Sequence, residues 1–210
     1  MAFLKRKELI HAAKANDLTT IKFFCSFPLG EAPSETDIKD ALNAATQYAS
    51  TDAVEYLCLS AGASQTDVSE TLIAICKWDD KIPNKWKLLS TLCAITAENK
   101  PIQTAIDKVL DAAAKAGEWS FVKALCEAEN SPSQKAVGNI LRIAGTRKLQ
   151  IMSRNRPANY ELPYEVMTHL FERSLIKPSK EDISATLILI CEKQDLKKKK
   201  PGMLYPISAL

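Results

Sequence analysis

Residues 12–25 read Ala12-Ala13-Lys14-Ala15-Asn16-Asp17-Leu18-Thr19-Thr20-Ile21-Lys22-Phe23-Phe24-Cys25, with paired alanines, a polar turn and an apolar run that ends in cysteine. Three further apolar runs end in the same way, at Cys58, Cys93 and Cys126. The four cysteines are 33, 35 and 33 residues apart. Apolar residues spaced i, i+3 and i+4 form one face of a helix, and a fixed period of this length is typical of helical repeats. The sequence therefore predicts a recurring helix, called helix B, at each of these cysteines.

A second recurring pattern precedes helix B and begins with a serine. Ser34, Ser64 and Ser179 are each followed three residues later by an aspartate. A serine that caps a helix and an acid near the positive end of the helix dipole both stabilise a helix start. The pattern predicts a helix A, and in three repeats its leucine lies 16 residues before the helix-B cysteine. We expect the equivalent leucines of successive helices A to be buried: Leu42, Leu72, Leu110, Leu141 and Leu187.

The recurring helix pairs predict the architecture of the chain. No single helix buries its apolar stripe alone, whereas stacking each pair on the next builds a continuous core. The sequence thus predicts an all-α fold, an α-solenoid of about five helix pairs and a terminal half repeat over residues 1–195. Extra residues between helix A and helix B predict insertions at about 78–84 and 147–163. Residues 196–210 form a basic tail that we expect to be flexible.

Composition and cysteine spacing argue against membrane-spanning, nucleic-acid-binding and zinc-binding classes of protein. The longest apolar run, residues 187–191, has five residues and is too short to span a bilayer. A net charge of +3 is too small to indicate nucleic acid by itself. The six cysteines contain no Cys-x-x-Cys pair and the chain has two histidines, which argues against a structural zinc site. We expect no metal or cofactor and a cytoplasmic location, with leaderless delivery into the cytoplasm of a host cell as the alternative.

Parts of the repeat resemble ankyrin repeats. Residues 12–25 and 113–126 are similar to that family's passage from paired alanines through a turn into the second helix, and Ala61-Gly62-Ala63 resembles the exit that follows. The Thr-Pro-Leu-His and Gly-x-Thr-Pro motifs do not occur in this sequence, so the resemblance implies degenerate repeats with reduced or missing β-hairpin fingers. Similar degenerate arrays occur among effectors that bacteria inject into host cells. The resemblance implies protein–protein recognition and carries no catalytic residue.

Two segments outside the repeat register are candidates for binding a partner. Trp78 lies in the first insertion beside two acids, and tryptophan is enriched at binding hot spots. The second segment lies in a stretch between Glu129 and Glu161 that contains no acid. Such a basic surface attracts an acidic protein patch, a phosphorylated group or a nucleic-acid backbone, and a solvated loop is the alternative. Its candidate residues are Arg147, Lys148, Arg154 and Arg156.

Catalytic motifs are not evident in the sequence. His11 and His169 lie four repeats apart, too far for a shared catalytic set, and the repeated cysteines have the pattern of small packing residues. The sequence predicts a non-enzymatic protein–protein interaction module, an effector or adaptor that binds a host or cellular protein. The alternative is a binder of a polyanionic partner (RNA, phosphorylated protein or anionic lipid) through residues 135–156.

Overall fold

The computed structural model describes residues 2–26, 32–152, 168–170 and 176–198, and within these ranges its regular secondary structure is helical, without strands. This confirms the predicted all-α class. The helices are α1 (Ala2–Lys14), α2 (Leu18–Cys25), α3 (Glu35–Gln47), α4 (Thr51–Leu59), α5 (Gln65–Ile75), α6 (Lys85–Cys93), α7 (Gln103–Ala116), α8 (Trp119–Glu127), α9 (Gln134–Met152) and α10 (Lys180–Lys198). Residues 168–170 are also helical.

The helices pack in two rows. The first row contains the helices A, and each of α1, α3, α5, α7 and α9 contacts the next member of that row, ending with α10. The second row contains the helices B, in which α2, α4, α6 and α8 contact one another in order. The two helices of each of the first four pairs also contact each other. The apolar core therefore lies between the two rows and runs through successive pairs.

The leucine register of the helices A is confirmed except at its last member. Leu42, Leu72, Leu110 and Leu141 are at most 1% exposed. Leu187, in contrast, is 55% exposed, so the prediction that it is buried is wrong. The reason is its position at the end of the row, because α10 contacts α9 and the described part of the chain supplies no helix beyond α10.

In the first four pairs, the connections between helix A and helix B are short turns, except in the third pair. Residues 15–17, 48–50 and 117–118 connect the first, second and fourth pairs. Each turn contains a residue with positive φ: Asn16 at 56°, Ala49 at 55° and Gly117 at 91°. This left-handed backbone suits glycine and asparagine and costs energy at alanine. In the third pair, residues 76–84 separate the two helices, a range that includes the predicted first insertion at about 78–84.

The second predicted insertion and the predicted tail both begin with helix. Helix α9 continues through Met152, so residues 147–152, the first part of the second predicted insertion, are helical. Residues 134–152 contain no proline, so the sequence of α9 does not interrupt the helix at residue 147. Helix α10 likewise extends to Lys198, three residues into the predicted tail. The rest of 147–163, and residues 199–210, lie outside the described residues.

Serine caps begin three helices A as the sequence predicts. In α3 the Asp37 N–H donates to Ser34 Oγ at 3.2 Å, while the Asp37 carboxylate accepts from the Ser34 N–H at 3.0 Å. In α5 and α10 the aspartate N–H likewise donates to the serine Oγ, at 3.2 Å from Asp67 and 3.1 Å from Asp182. These contacts satisfy helix N–H groups that have no partner within the helix. The repeated aspartates therefore stabilise helix starts, which is their structural role.

One position in each helix A faces the start of the next helix A. It lies three residues before the buried leucine, and its occupants are Arg6, Lys39, Ser69, Asp107 and Gly138. The first two make ion pairs with the next capping aspartate, Arg6 Nε at 3.6 Å from Asp37 and Lys39 Nζ at 3.0 Å from Asp67. Each pair of helices is thus joined to the next at the same place.

The other members of this position use different chemistry for the same contact. Ser69 Oγ accepts the Ile102 N–H at 3.0 Å, and the Asp107 carboxylate accepts from the Ser133 hydroxyl at 2.7 Å. Gly138 leaves room for the Asp182 carboxylate, because a Cβ at this glycine would collide with it. Across the stack, the start of each helix A is therefore built from two repeats and not from its own sequence alone.

Two asparagines form hydrogen bonds with the C-terminal ends of helices B in the preceding pair. Asn99 donates from Nδ2 to the Cys58 carbonyl at 2.7 Å. Asn130, only 5% exposed, donates to the carbonyls of Cys93 at 3.0 Å and Ile95 at 2.6 Å. The carbonyls at a helix C-terminus lack partners within the helix, so an asparagine from the following pair satisfies them. Both residues occur in the sequence Ala-Glu-Asn-x-Pro, a recurrence that the repeat register alone does not reveal.

Candidate interaction surface

The first insertion is folded around a buried lysine. Lys85 is 3% exposed, and its Nζ donates to the Trp78 carbonyl at 2.7 Å and to the Asp80 carboxylate at 2.8 Å. The same ammonium lies 4.8 Å from the centroid of the Trp86 ring. A buried cation needs such partners because its charge is costly away from water. Lys85 therefore joins the first part of this connection, residues 76–80, to the start of α6.

The three tryptophans differ in exposure. Trp78 is half-buried and packs against the core, so part of its ring remains accessible. Trp86 is also half-buried, and its ring centroid lies 5.5 Å from that of Phe121. Trp119 is buried at the start of α8, as its alignment with the first helix B indicates. The candidate residue Trp78 is thus placed on a fixed loop and retains an accessible surface.

The basic segment is only partly described. Lys135 is exposed on α9, whereas Arg142 donates to Asp182 at 3.0 Å and so belongs to the contact between α9 and α10. The backbone of Arg147 and Lys148 lies in the C-terminal part of α9. The side chains of these two residues, and the whole of Arg154 and Arg156, lie outside the described residues. The four candidates therefore remain predictions from sequence.

A surface of aromatic side chains lies on the first two helices B. Phe23 on α2 is 59% exposed, and Leu59 on α4 is 46% exposed. Between them, Lys22 of α2 places its Nζ 5.7 Å from the centroid of the half-buried Tyr56 ring on α4. A cation over an aromatic ring is attracted by the negative face of the ring. We call Lys22, Phe23, Tyr56 and Leu59 the aromatic face.

The aromatic face is confined to the first two pairs. Phe23 and Tyr56 occupy the position two residues before the repeat cysteine, where Thr91 and Ala124 stand in the third and fourth pairs. A similar cation–aromatic contact joins the ends of α1 and α3, where Lys14 Nζ lies 5.3 Å from the centroid of the Tyr48 ring. Tyr48 is 60% exposed. The variation at one repeat position was the sequence signal for this surface. It was missed because both aromatic residues stand in an apolar run.

An open groove lies on the outer side of the first pair. It has a volume of about 580 Å³ and is lined in part by Glu8, His11 and Thr20. One repeat later, at residues 41, 44 and 53, the equivalent residues are alanines that are buried in the core. Polar residues at positions that are small and apolar inside the stack are typical of a capping repeat. The groove is therefore the solvated end face of the first pair.

The repeat cysteines have the environment of packing residues. Cys58 and Cys93 are at most 1% exposed, and burial raises the pKa of each thiol to about 12. Burial also raises the pKa of Cys76 to about 11 and that of Cys25 above its ordinary value. A reactive cysteine needs a thiolate, which a lowered pKa supplies. At neutral pH these four side chains are thiols and unsuited to nucleophilic chemistry.

The two histidines lie in different surroundings. His11 is exposed in the groove of the first pair, while Nε2 of the half-buried His169 lies 3.2 Å from the Glu127 carboxylate. Among the described residues, groups of three or more metal-ligating side chains are not found. The described helices also include none that is long and apolar enough to cross a membrane.

No protein-family model matches the chain, and comparison with curated proteins and with solved structures found no significant similarity.

Proposed function

We propose that this chain is a non-enzymatic protein-binding scaffold, a solenoid of degenerate ankyrin-like repeats that serves as an effector or adaptor for a host or cellular protein. The two rows of helices, with equivalent contacts from pair to pair, support the solenoid. The connections from helix B to the next helix A at residues 60–64 and 128–133 are short and contain no strand, which agrees with reduced fingers. A rigid repeated framework of this kind presents side chains that vary from repeat to repeat to a partner.

The observation that carries this proposal is the aromatic face. Large apolar side chains at the solvent surface mark an interface when they are grouped, and aromatic residues are enriched at hot spots. Phe23, Tyr56 and Leu59 are grouped on adjacent helices, whereas the equivalent positions of the third and fourth pairs carry Thr91 and Ala124. The partner therefore contacts α2 and α4, and Trp78 and the basic residues are candidates for further contacts.

Photo-crosslinking tests this proposal directly. A benzophenone amino acid at position 23 should crosslink to the partner in cells, and the same group at position 124, its repeat equivalent, should not. The double variant Phe23→Ser/Tyr56→Ser should lose capture of that partner, while Thr91→Ser/Ala124→Ser retains it. Tyr56 is half-buried against the core, so its replacement by serine should lower the melting temperature, whereas Phe23→Ser alone, at an exposed site, should leave circular dichroism and the melting temperature nearly unchanged and still weaken capture. Equal crosslinking at both positions, or capture of the partner by the Phe23→Ser/Tyr56→Ser variant, would refute the proposal that the aromatic face binds the partner.

The second candidate function is binding of a polyanion through residues 135–156. It is favoured by the absence of acids between Glu129 and Glu161. Replacing Arg147, Lys148, Arg154 and Arg156 by glutamate should then abolish binding and leave the helical signal intact. Binding to a polyanion weakens steeply as salt rises, because counterions are released, whereas an apolar contact through the aromatic face does not. A weak salt dependence together with intact binding by the four-residue variant would exclude this function.

A further inference from the structure

Trp78 lies at a repeat position that faces solvent in the neighbouring pairs. It follows the buried leucine of its helix A by six residues, and the residues at the same spacing in the first, second and fourth pairs are all exposed: Ala15, Tyr48 and Ala116. Two of these three are alanines, so the core does not require a large side chain at this position. Packing alone therefore does not explain a half-buried tryptophan there.

The backbone of Trp78 is held on both sides of the residue. Its N–H donates to the Ile75 carbonyl at 3.0 Å, an i→i−3 bond that tightens the chain after α5. Its carbonyl accepts from the Lys85 ammonium at 2.7 Å. In the second pair, by contrast, the Tyr48 N–H continues the helical pattern and donates to the Ala44 carbonyl at 3.2 Å. The third pair thus places its aromatic residue by a different set of contacts, and Lys85 supplies one of them.

The Lys85 ammonium has three acceptors, and all of them lie on residues 76–80. Besides the Trp78 carbonyl, Nζ donates to the Asp80 carboxylate at 2.8 Å and to the Cys76 carbonyl at 3.4 Å. An ammonium carries three N–H donors, so this set uses every one of them. The two carbonyls follow the C-terminal end of α5, where the helix dipole favours a positive charge. Lys85 therefore reaches back from the start of α6 to the chain on both sides of Trp78.

The residue eight before the helix-B cysteine is a lysine in the pair with the long connection. In the first, second and fourth pairs this residue is the N-cap of helix B: Asp17, Ser50 and Glu118. In the third pair Asn84 is the N-cap, and Lys85 is instead the first residue of α6. The lysine thus occurs together with the insertion that it contacts.

We propose that Lys85 is a positioning residue for Trp78, and that Trp78 binds the protein partner in the orientation that this contact sets. The second clause rests on the proposed function, whereas the first concerns the free chain alone. Tryptophan is enriched at binding hot spots, and a side chain that is already ordered loses less freedom on binding. The buried ammonium consequently acts on recognition through Trp78 and does not itself contact the partner.

NMR of the free chain tests the positioning without any partner. Lys85→Met keeps the apolar stem and removes the ammonium, and it should accelerate amide exchange at Trp78 by about tenfold. It should also shift or broaden the fluorine signal of Trp78 in chain labelled with fluorotryptophan, which Trp78→Phe assigns. Asp80→Ala, at an exposed residue, removes one acceptor and should accelerate the same exchange by about threefold. The control Lys87→Met, at an exposed lysine of the same helix, should change neither measurement.

The partner that crosslinks at position 23 tests the role in recognition. Trp78→Ala and Lys85→Met should each weaken its binding by about tenfold or more, as expected for a hot spot. The double variant should weaken binding no further than Trp78→Ala, because the lysine acts through the tryptophan. A purely structural lysine would instead lower stability and leave the fluorine signal of Trp78 in the folded chain unchanged.

Two results would overturn the proposal. Unchanged exchange and fluorine signal in both Lys85→Met and Asp80→Ala would exclude the positioning role, and Asp80→Ala alone decides this point if Lys85→Met does not fold. Binding that Trp78→Ala leaves intact, or losses that add in the double variant, would exclude the role in recognition. If position 23 gives no crosslink, the aromatic face fails by itself, and the measurements on the free chain still confirm or overturn the positioning of Trp78.

Discussion

Replacing Asn130 with alanine should lower the free energy of unfolding by about 2–4 kcal/mol. The Asn130 amide donates to the carbonyls of Cys93 and Ile95, at 3.0 and 2.6 Å, and the residue is 5% exposed. Each hydrogen bond contributes about 0.5–1.5 kcal/mol net, and a carbonyl left buried without a partner costs about 1–3 kcal/mol where water does not replace the donor. The sum over two carbonyls, with partial hydration, gives the expected range.

Denaturant unfolding followed by circular dichroism measures this loss, and two variants calibrate it. Asn99→Ala removes one such bond at a half-buried site and should cost about 1–2 kcal/mol. Asn43→Ala, at an exposed position in the middle of α3, should change stability by no more than about 0.5 kcal/mol. Should Asn130→Ala cost no more than Asn43→Ala, the inference that asparagines join successive pairs at the ends of the helices B is refuted.

Four further outcomes are expected from the same framework. Leu110→Ala should cost about 2–5 kcal/mol in denaturant unfolding, and the exposed Leu59→Ala less than about 1 kcal/mol; a loss below 1 kcal/mol at Leu110 contradicts the register. Gly138→Ala should destabilise the chain by about 1–3 kcal/mol through collision with Asp182, and the penalty should shrink in an Asp182→Ala background; an additive pair of effects argues against the contact. Burial opposes the charge of Asp67, but bonds from Ser64 and Lys39 outweigh it and lower the pKa of Asp67. The stabilisation from this charge is present above about pH 4 and lost as the pH falls through the lowered pKa, so the difference in unfolding free energy between wild type and Asp67→Asn should be largest near pH 7 and shrink as the pH is lowered below about 4; a constant difference counts against the ion pair. Because burial raises the pKa of Cys58 and Cys93 to about 12, iodoacetamide at pH 8 should leave both unmodified in the native chain and alkylate them in denaturant, as mass spectrometry can check.

The features that could be predicted from sequence are those encoded within one repeat. The period of the cysteines, the apolar spacing and the serine caps each require only residues of the same helix or its neighbour in the chain. This is why the helix pairs, the buried Leu110 and the cap of Asp37 on Ser34 agree with expectation. The first insertion is predicted from the same register, since a longer connection changes the spacing between two recognisable helices.

Only the tertiary structure decided which side chains make contacts between successive repeats. The position that contacts the next helix start holds two cations, a serine, an aspartate and a glycine, so the sequence shows no common pattern there. Only the packing of successive pairs shows that these residues make equivalent contacts: Arg6, Lys39, Ser69, Asp107 and Gly138. Leu187 has the sequence of a core residue, and its exposure depends on the neighbours that α10 has in space. The aromatic face is similar, because an apolar residue in a helix is read as core unless the direction of its side chain is known. Periodicity identifies one face of a helix, but only packing decides whether another helix, a partner or water covers it.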